Sequence, residues 1–171
     1  MDTEAKQTAG MHGTGMVMHA DTVQGLAVSA DGFTLGFADF STSGRPYVLA
    51  DDLLADGIVA WQALPVPAGA TEADGFEIRL TEGTARAGEE SQLEFAVTRN
   101  GRPVELQNYL GAKGHLVALR QGDLAYLHVH PDTESLKFMA TFPTSGSYRL
   151  FLQFKVDGAV HTAAFTQEVS L

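Results

Sequence analysis

Six histidines and no cysteine set the chemistry open to this 171-residue chain. Two alternate within one short run, Leu127-His128-Val129-His130-Pro131. Two more, His115 and His161, stand near the starts of β-like runs. The last two lie in a thioether-rich opening segment, Met11-His12-Gly13-Thr14-Gly15-Met16-Val17-Met18-His19. Imidazole suits Cu, Zn, Ni and Fe, whereas thioether sulfur selects soft ions such as Cu(I). The residue types therefore point to a metal site, with copper favoured and zinc the alternative, rather than to a nucleophilic triad.

Spacing decides which donors can meet. In a strand, residues two apart share a face, so His128 and His130 can converge on one ion, with Tyr126 on the same side. Pro131 ends that strand beside a loop, where sites usually form. His115 leads Leu116–Leu119, and Gln121-Gly122-Asp123 reads as a turn. Pairing 119 with 125 sets 115 roughly opposite 129, next to His128 or His130; a slip of one or two residues changes that neighbour. His161 follows Gly158 by three residues and joins as a fourth imidazole if the last strand crosses the same end. The competing reading is a hydrogen-bonded structural cluster, each imidazole satisfied by a carbonyl or by water. In the opening segment, Met11, His12, Met16, Met18 and His19 make a second, softer donor set. It is suited to capturing an ion and passing it on.

These residues need a scaffold, and the patterning is all-β. Val23–Val28 and Phe33–Phe37 flank a Ser-Ala-Asp-Gly turn signal. Tyr47–Ala50 reads as a strand. Asp51-Asp52-Leu53-Leu54-Ala55-Asp56-Gly57 reads either as a capped helical turn or as an acidic loop. Pro65, Pro67, Gly69 and Gly75 mark a linker. Beyond it, Phe76, Ile78 and Leu80 alternate with polar residues, as do Leu93, Phe95 and Val97. Tyr148, Leu150, Leu152, Phe154 and Val156 alternate strictly, and Asp157-Gly158 is a hairpin signal. About seven strands without a three-turn amphipathic helix predict an antiparallel immunoglobulin-like or cupredoxin-like β-sandwich, with a barrel as the rival. The expected division is a flexible Met/His tail at 1–20, a β segment with linker at 21–75, and the sandwich at 76–171.

Composition narrows the partners. Apolar residues make up 44% of the chain, enough for a core. Eleven Lys and Arg face twenty-one Asp and Glu, a formal charge of −10, which disfavours nucleic acid and anionic membranes. Lack of cysteine excludes thiolate zinc sites and blue-copper centres. No run approaches the roughly 18 apolar residues of a membrane helix. The N-terminus lacks a signal peptide's basic and apolar regions. The chain is therefore expected to be either cytosolic or a mature form whose signal or anchor has been removed; the tether-like opening favours the second, a soluble periplasmic, cell-surface or secreted protein.

The segments Tyr109–Leu119, Tyr126–Pro131, Phe142–Phe154 and His161–Phe165 resemble a family of bacterial secreted or membrane-anchored β-sandwich proteins, largely uncharacterised and associated with copper or metal handling. The shared motifs are Gly-His-Leu-Val at 114–117 and His-x-His-Pro at 128–131, and the resemblance covers about residues 75–168. It implies that His115, His128, His130 and His161 belong together. It also implies that a Met/His segment such as 11–19 follows a signal or lipid anchor.

No phosphate-binding loop or nucleophile elbow is present; Gly13-Thr14-Gly15 lacks the strand and helix that would give it meaning. Glu89 and Glu90 read as a solvated turn, and Asp51, Asp52 and Asp56 as solvated surface. The expectation is a copper-binding protein for storage, delivery or tolerance, served by a copper donor or acceptor protein, with no catalytic residues assigned. The alternatives are an interaction or adhesion module, which exposed aromatics among Phe33, Phe40, Tyr47 and Trp61 would favour, and a copper-dependent redox enzyme.

Overall fold

The computed structural model describes residues 22–30, 33–42, 45–54 and 63–171, apart from 110 and 124; side chains are described from residue 63 onward, except at 110, 124, 128 and 130. The chain divides into two compact units, with the boundary between Ala63 and Leu64.

The first unit contains a three-stranded antiparallel meander: β1 (Thr22–Ala30), β2 (Phe33–Thr42) and β3 (Arg45–Leu54). Ala30 pairs with Phe33, and Phe33 pairs with Leu54. Asp51 and Asp52 are thus strand residues paired with Gly36 and Leu35, which corrects the expected helical turn or acidic loop. Asp56 lies outside the described residues.

The second unit is the sandwich. Its strands are β4 (Ala70–Ala73), β5 (Phe76–Glu82), β6 (Ala85–Arg86), β7 (Glu90–Arg99) and β8 (Arg102–Pro103), followed by β9 (Gly114–Arg120), β10 (Tyr126–Pro131), β11 (Lys137–Thr141), β12 (Gly146–Val156) and β13 (Ala159–Ser170). One layer runs β4-β5-β7-β11, with β8 also on β7; the other runs β10-β9-β12-β13-β6. Pairing is antiparallel except between β13 and β6. Strand β10 belongs to both layers: Tyr126–Val129 pair with β9, then His130 and Pro131 pair with β11.

Alternation decides which residues fill the space between layers. Ile78, Leu93, Phe95 and Phe138 come from one layer; Leu116, Leu150, Leu152, Phe154 and Phe165 come from the other; all are buried. Each such side chain contributes about 1.5–3 kcal/mol relative to exposure. The hairpin turns Asp74-Gly75, Asn100-Gly101 and Asp157-Gly158 have positive φ at both central residues. That is the conformation Asn/Asp-Gly pairs adopt readily and that matches strand twist.

One fixture joins the layers at the start of β12. Tyr148 is buried, and its hydroxyl donates to the Thr144 carbonyl at 3.0 Å. This is the tyrosine corner of immunoglobulin-type sandwiches. The expected linker also contains structure: β4 pairs with β5, and the Leu80 N–H bonds back to the Gly69 carbonyl at 2.9 Å. The sandwich therefore begins before residue 76.

Candidate metal centre

The register of β9 against β10 arranges the first three histidine positions. Leu119 stands opposite Tyr126, Val117 opposite His128 and Leu116 opposite Val129. This differs by one residue from the expected pairing of 119 with 125. The Arg120 N–H bonds to the Ala125 carbonyl at 3.1 Å, so the loop is one residue longer than a three-residue turn. Asp123 holds that loop: its Oδ1 accepts from Ala125 N–H at 3.2 Å and from Arg120 Nε at 2.9 Å. The Arg120 hydrogen bond, followed by the backbone donor, pulls the Asp123 pKa down to about 2.

The shift matters because a one-residue slip exchanges faces. Directly opposed residues in an antiparallel pair share a face. The register therefore puts positions 115, 117 and 128 in one row, whereas the expected register would have aligned 115 with Val129. One step past the last β9 pair, β10 leaves for the other layer, and His130 stands opposite Met139 of β11.

Gly114 and His115 divide the two faces of β9 between them. A Cβ at Gly114 would collide with the Leu136 side chain and lie 2.9 Å from the Gln153 carbonyl oxygen. That position is closed to larger residues and looks into the core. His115 consequently turns away from the core, yet it is buried. Its Nε2–H donates to the Tyr109 carbonyl at 2.8 Å, and the Tyr109 ring meets it edge-on, centroids 5.5 Å apart. A carbonyl can only accept, so Nε2 carries a proton. Burial raises the Tyr109 hydroxyl pKa. The segment carrying Tyr109 is fastened at Gln107, whose N–H bonds to the Lys155 carbonyl at 2.9 Å and whose Oε1 accepts from Gly158 N–H at 2.7 Å.

His161 has a different setting. Phe154 pairs with both Gly114 and His161, while Gln153 pairs with both His115 and Thr162. His161 thus shares the inner face with Phe154, and His115 lies on the outer face of the same sheet. Its Nδ1 is 2.8 Å from Asp74 Oδ2, and its ring packs on Phe76 and Phe154 with centroids 4.7 and 5.4 Å away. The Arg99 guanidinium covers the Phe76 ring at 4.1 Å and pairs with Asp157 at 2.8 Å. A single site shared by all four imidazoles is not what this register provides, because residues 154 and 153 belong to opposite rows of the pleat.

The family match coincides with these strands. Residues 71–170, from β4 to the end of β13, match the domain of unknown function DUF8832. The chain belongs to the DUF8832 family. No curated protein and no solved structure matches it.

In this DUF8832 chain the tail donors Met11, His12, Met16, Met18 and His19 lie outside the described residues, as do the side chains of His128 and His130. Among the described residues, no group of three or more His, Asp or Glu side chains is placed to hold a metal ion. A cleft of about 250 Å³, lined by Glu72, Gly75, Phe76, Glu77, Asn100 and Gly101, lies beside the hairpin turns, and neither His115 nor His161 is among these lining residues. Two functional-looking features escaped the sequence reading. The Tyr109 carbonyl left no side-chain signal. The tyrosine corner was signalled by Pro143-Thr144-Ser145-Gly146-Ser147-Tyr148, with the tyrosine at a strand start after a turn.

Proposed function

We propose that this protein is an extracytoplasmic copper-binding protein for storage, delivery or tolerance, with zinc as the competing ion. His115, His128 and His130 form the imidazole set, and the Met/His tail supplies a softer second set that exchanges copper with a donor or acceptor protein. The observation that carries the reading is the β9/β10 register, which aligns 115, 117 and 128 in one row beside the point where His130 crosses to β11. The His115 hydrogen bond to the Tyr109 carbonyl is in keeping with it. Metal-ligating histidines commonly donate their other ring N–H to a carbonyl, as Nε2 does here to Tyr109.

The test is titration of the protein with Cu(II) and Zn(II), comparing wild type with His130→Ala and with a Met11→Leu/Met16→Leu/Met18→Leu variant. The reading expects stoichiometric copper binding, weakened by His130→Ala at the imidazole site and by the triple variant at the soft site. Failure of the wild type to bind copper stoichiometrically would overturn it.

A further inference from the structure

Four large hydrophobic residues are exposed among the described residues: Val66, Met139, Val160 and Leu171. Val66 precedes β4, Leu171 ends the chain and Val160 adjoins a hairpin turn. Met139 alone of these stands in the middle of a strand, 43% exposed, between buried Phe138 and Ala140. The outward positions around it are polar: Lys137 and Thr141 on β11, and Glu90, Gln92 and Glu94 on β7. Lys137 and Glu94 form an ion pair at 3.4 Å. No packing demand calls for a thioether in that row. Its cross-strand partner on β10 is His130.

We propose that Met139 is a ligand of the metal centre, adding one thioether to the imidazoles and making a mixed nitrogen–sulfur site for a soft monovalent cation, Cu(I). The proposal rests on the copper reading above and deepens it. Directly opposed residues have Cβ atoms about 4.5–5.5 Å apart, a separation that two ligands on one ion can span. Thioether sulfur selects Cu(I), whereas an all-imidazole set does not discriminate among Cu, Zn, Ni and Fe. On this basis the preference for copper resides in the sandwich as well as in the tail. It comes from the strand switch: β10 must leave β9 at Val129 for His130 to meet β11 at all.

The test uses the full chain in the Met11→Leu/Met16→Leu/Met18→Leu background, so that Met139 is the thioether under study. Anaerobic competition titrations measure Cu(I) affinity, and parallel titrations measure Cu(II) affinity, with and without Met139→Leu. Leu conserves volume at an exposed position, so the fold is retained. Loss of an outer partner of a ligand already costs about 10–100-fold in metal affinity, so loss of a ligand is expected to weaken Cu(I) binding at least about tenfold. Cu(II) binding is expected to stay unchanged. Ag(I), a redox-silent probe, is expected to shift the Met139 methyl resonance. Equal Cu(I) affinity with Met or Leu at 139 would overturn the thioether ligand while leaving the copper reading intact. Absence of both Cu(I) and Cu(II) binding would overturn the copper reading, and the thioether ligand with it.

Discussion

His161 and His115 sit one strand apart in the same sheet, on either side of β12, and have opposite fates. His161 faces inward, between two phenylalanine rings, with its Nδ1 on Asp74. Its aromatic and polar surfaces are both used within the fold, and the Asp74 contact ties the β4–β5 turn to β13. His115 faces outward, with its Nε2 proton committed to a main-chain carbonyl and its position on the same face of β9 as Val117, the partner of His128. The contrast shows that pleat parity, more than residue type or strand position, decides whether a histidine packs into the core or stands on the outer face of the sheet.

The largest expected effect breaks the inner member. His161→Ala removes two ring contacts, each contributing about 0.5–1.5 kcal/mol beyond area burial, so a loss of about 2 kcal/mol is expected in urea unfolding. Copper affinity should not change; a fall in affinity would return His161 to the metal site. Next comes the outer member. His115→Ala is expected to raise the copper Kd at least about tenfold, or about 1.4 kcal/mol, by calorimetric titration. An unaltered Kd would reduce His115 to a structural partner of Tyr109.

A smaller effect concerns the scaffold shared by both histidines. Tyr148→Phe deletes the hydroxyl that bonds to Thr144, and a loss of about 1 kcal/mol is expected in the same unfolding assay, with no change in metal affinity. The smallest is conditional on pH. The Asp123 carboxyl is depressed from 3.8 to about 2, so its contribution is present in full above the unfolded value and lost as pH falls toward 2. Asp123→Asn should therefore flatten the acid dependence of stability between about pH 3.8 and 2 while leaving the shape above that window unchanged. Identical acid profiles for the two proteins would remove Asp123 as the residue that sets the loop.

Legibility followed physical scale. The strict alternation from Tyr148 to Val156 and the Asp157-Gly158 turn read directly as a hairpin, because a half-buried strand leaves a period-two signature. The register of β9 on β10 did not, since it turns on one loop residue and on the Asp123 carboxylate bonding backward and forward. The two-residue strands β6 and β8 are too short to show any period. β4 was obscured by flanking prolines and glycines. At the site, the histidines were visible as residue types. Their separation onto two faces was not, because parity accumulates across three strands from Gly114 through Phe154 to His161. Met139 went unnoticed because one thioether in a strand reads as core until its partner strand is known.

The handover of β10 from one layer to the other also bears on self-association. An outer strand offers unpaired backbone groups to any passing strand, and a long straight edge templates aggregation. Here the outermost stretch on that side is cut in two, Tyr126–Val129 in one layer and His130–Pro131 in the other, with a proline closing the second. On the opposite side the layers end in the four-residue β4 and the two-residue β6. Among its described residues, a sandwich rich in apolar strands thus presents short edge runs for another copy to extend, which resists the growth of its own sheets.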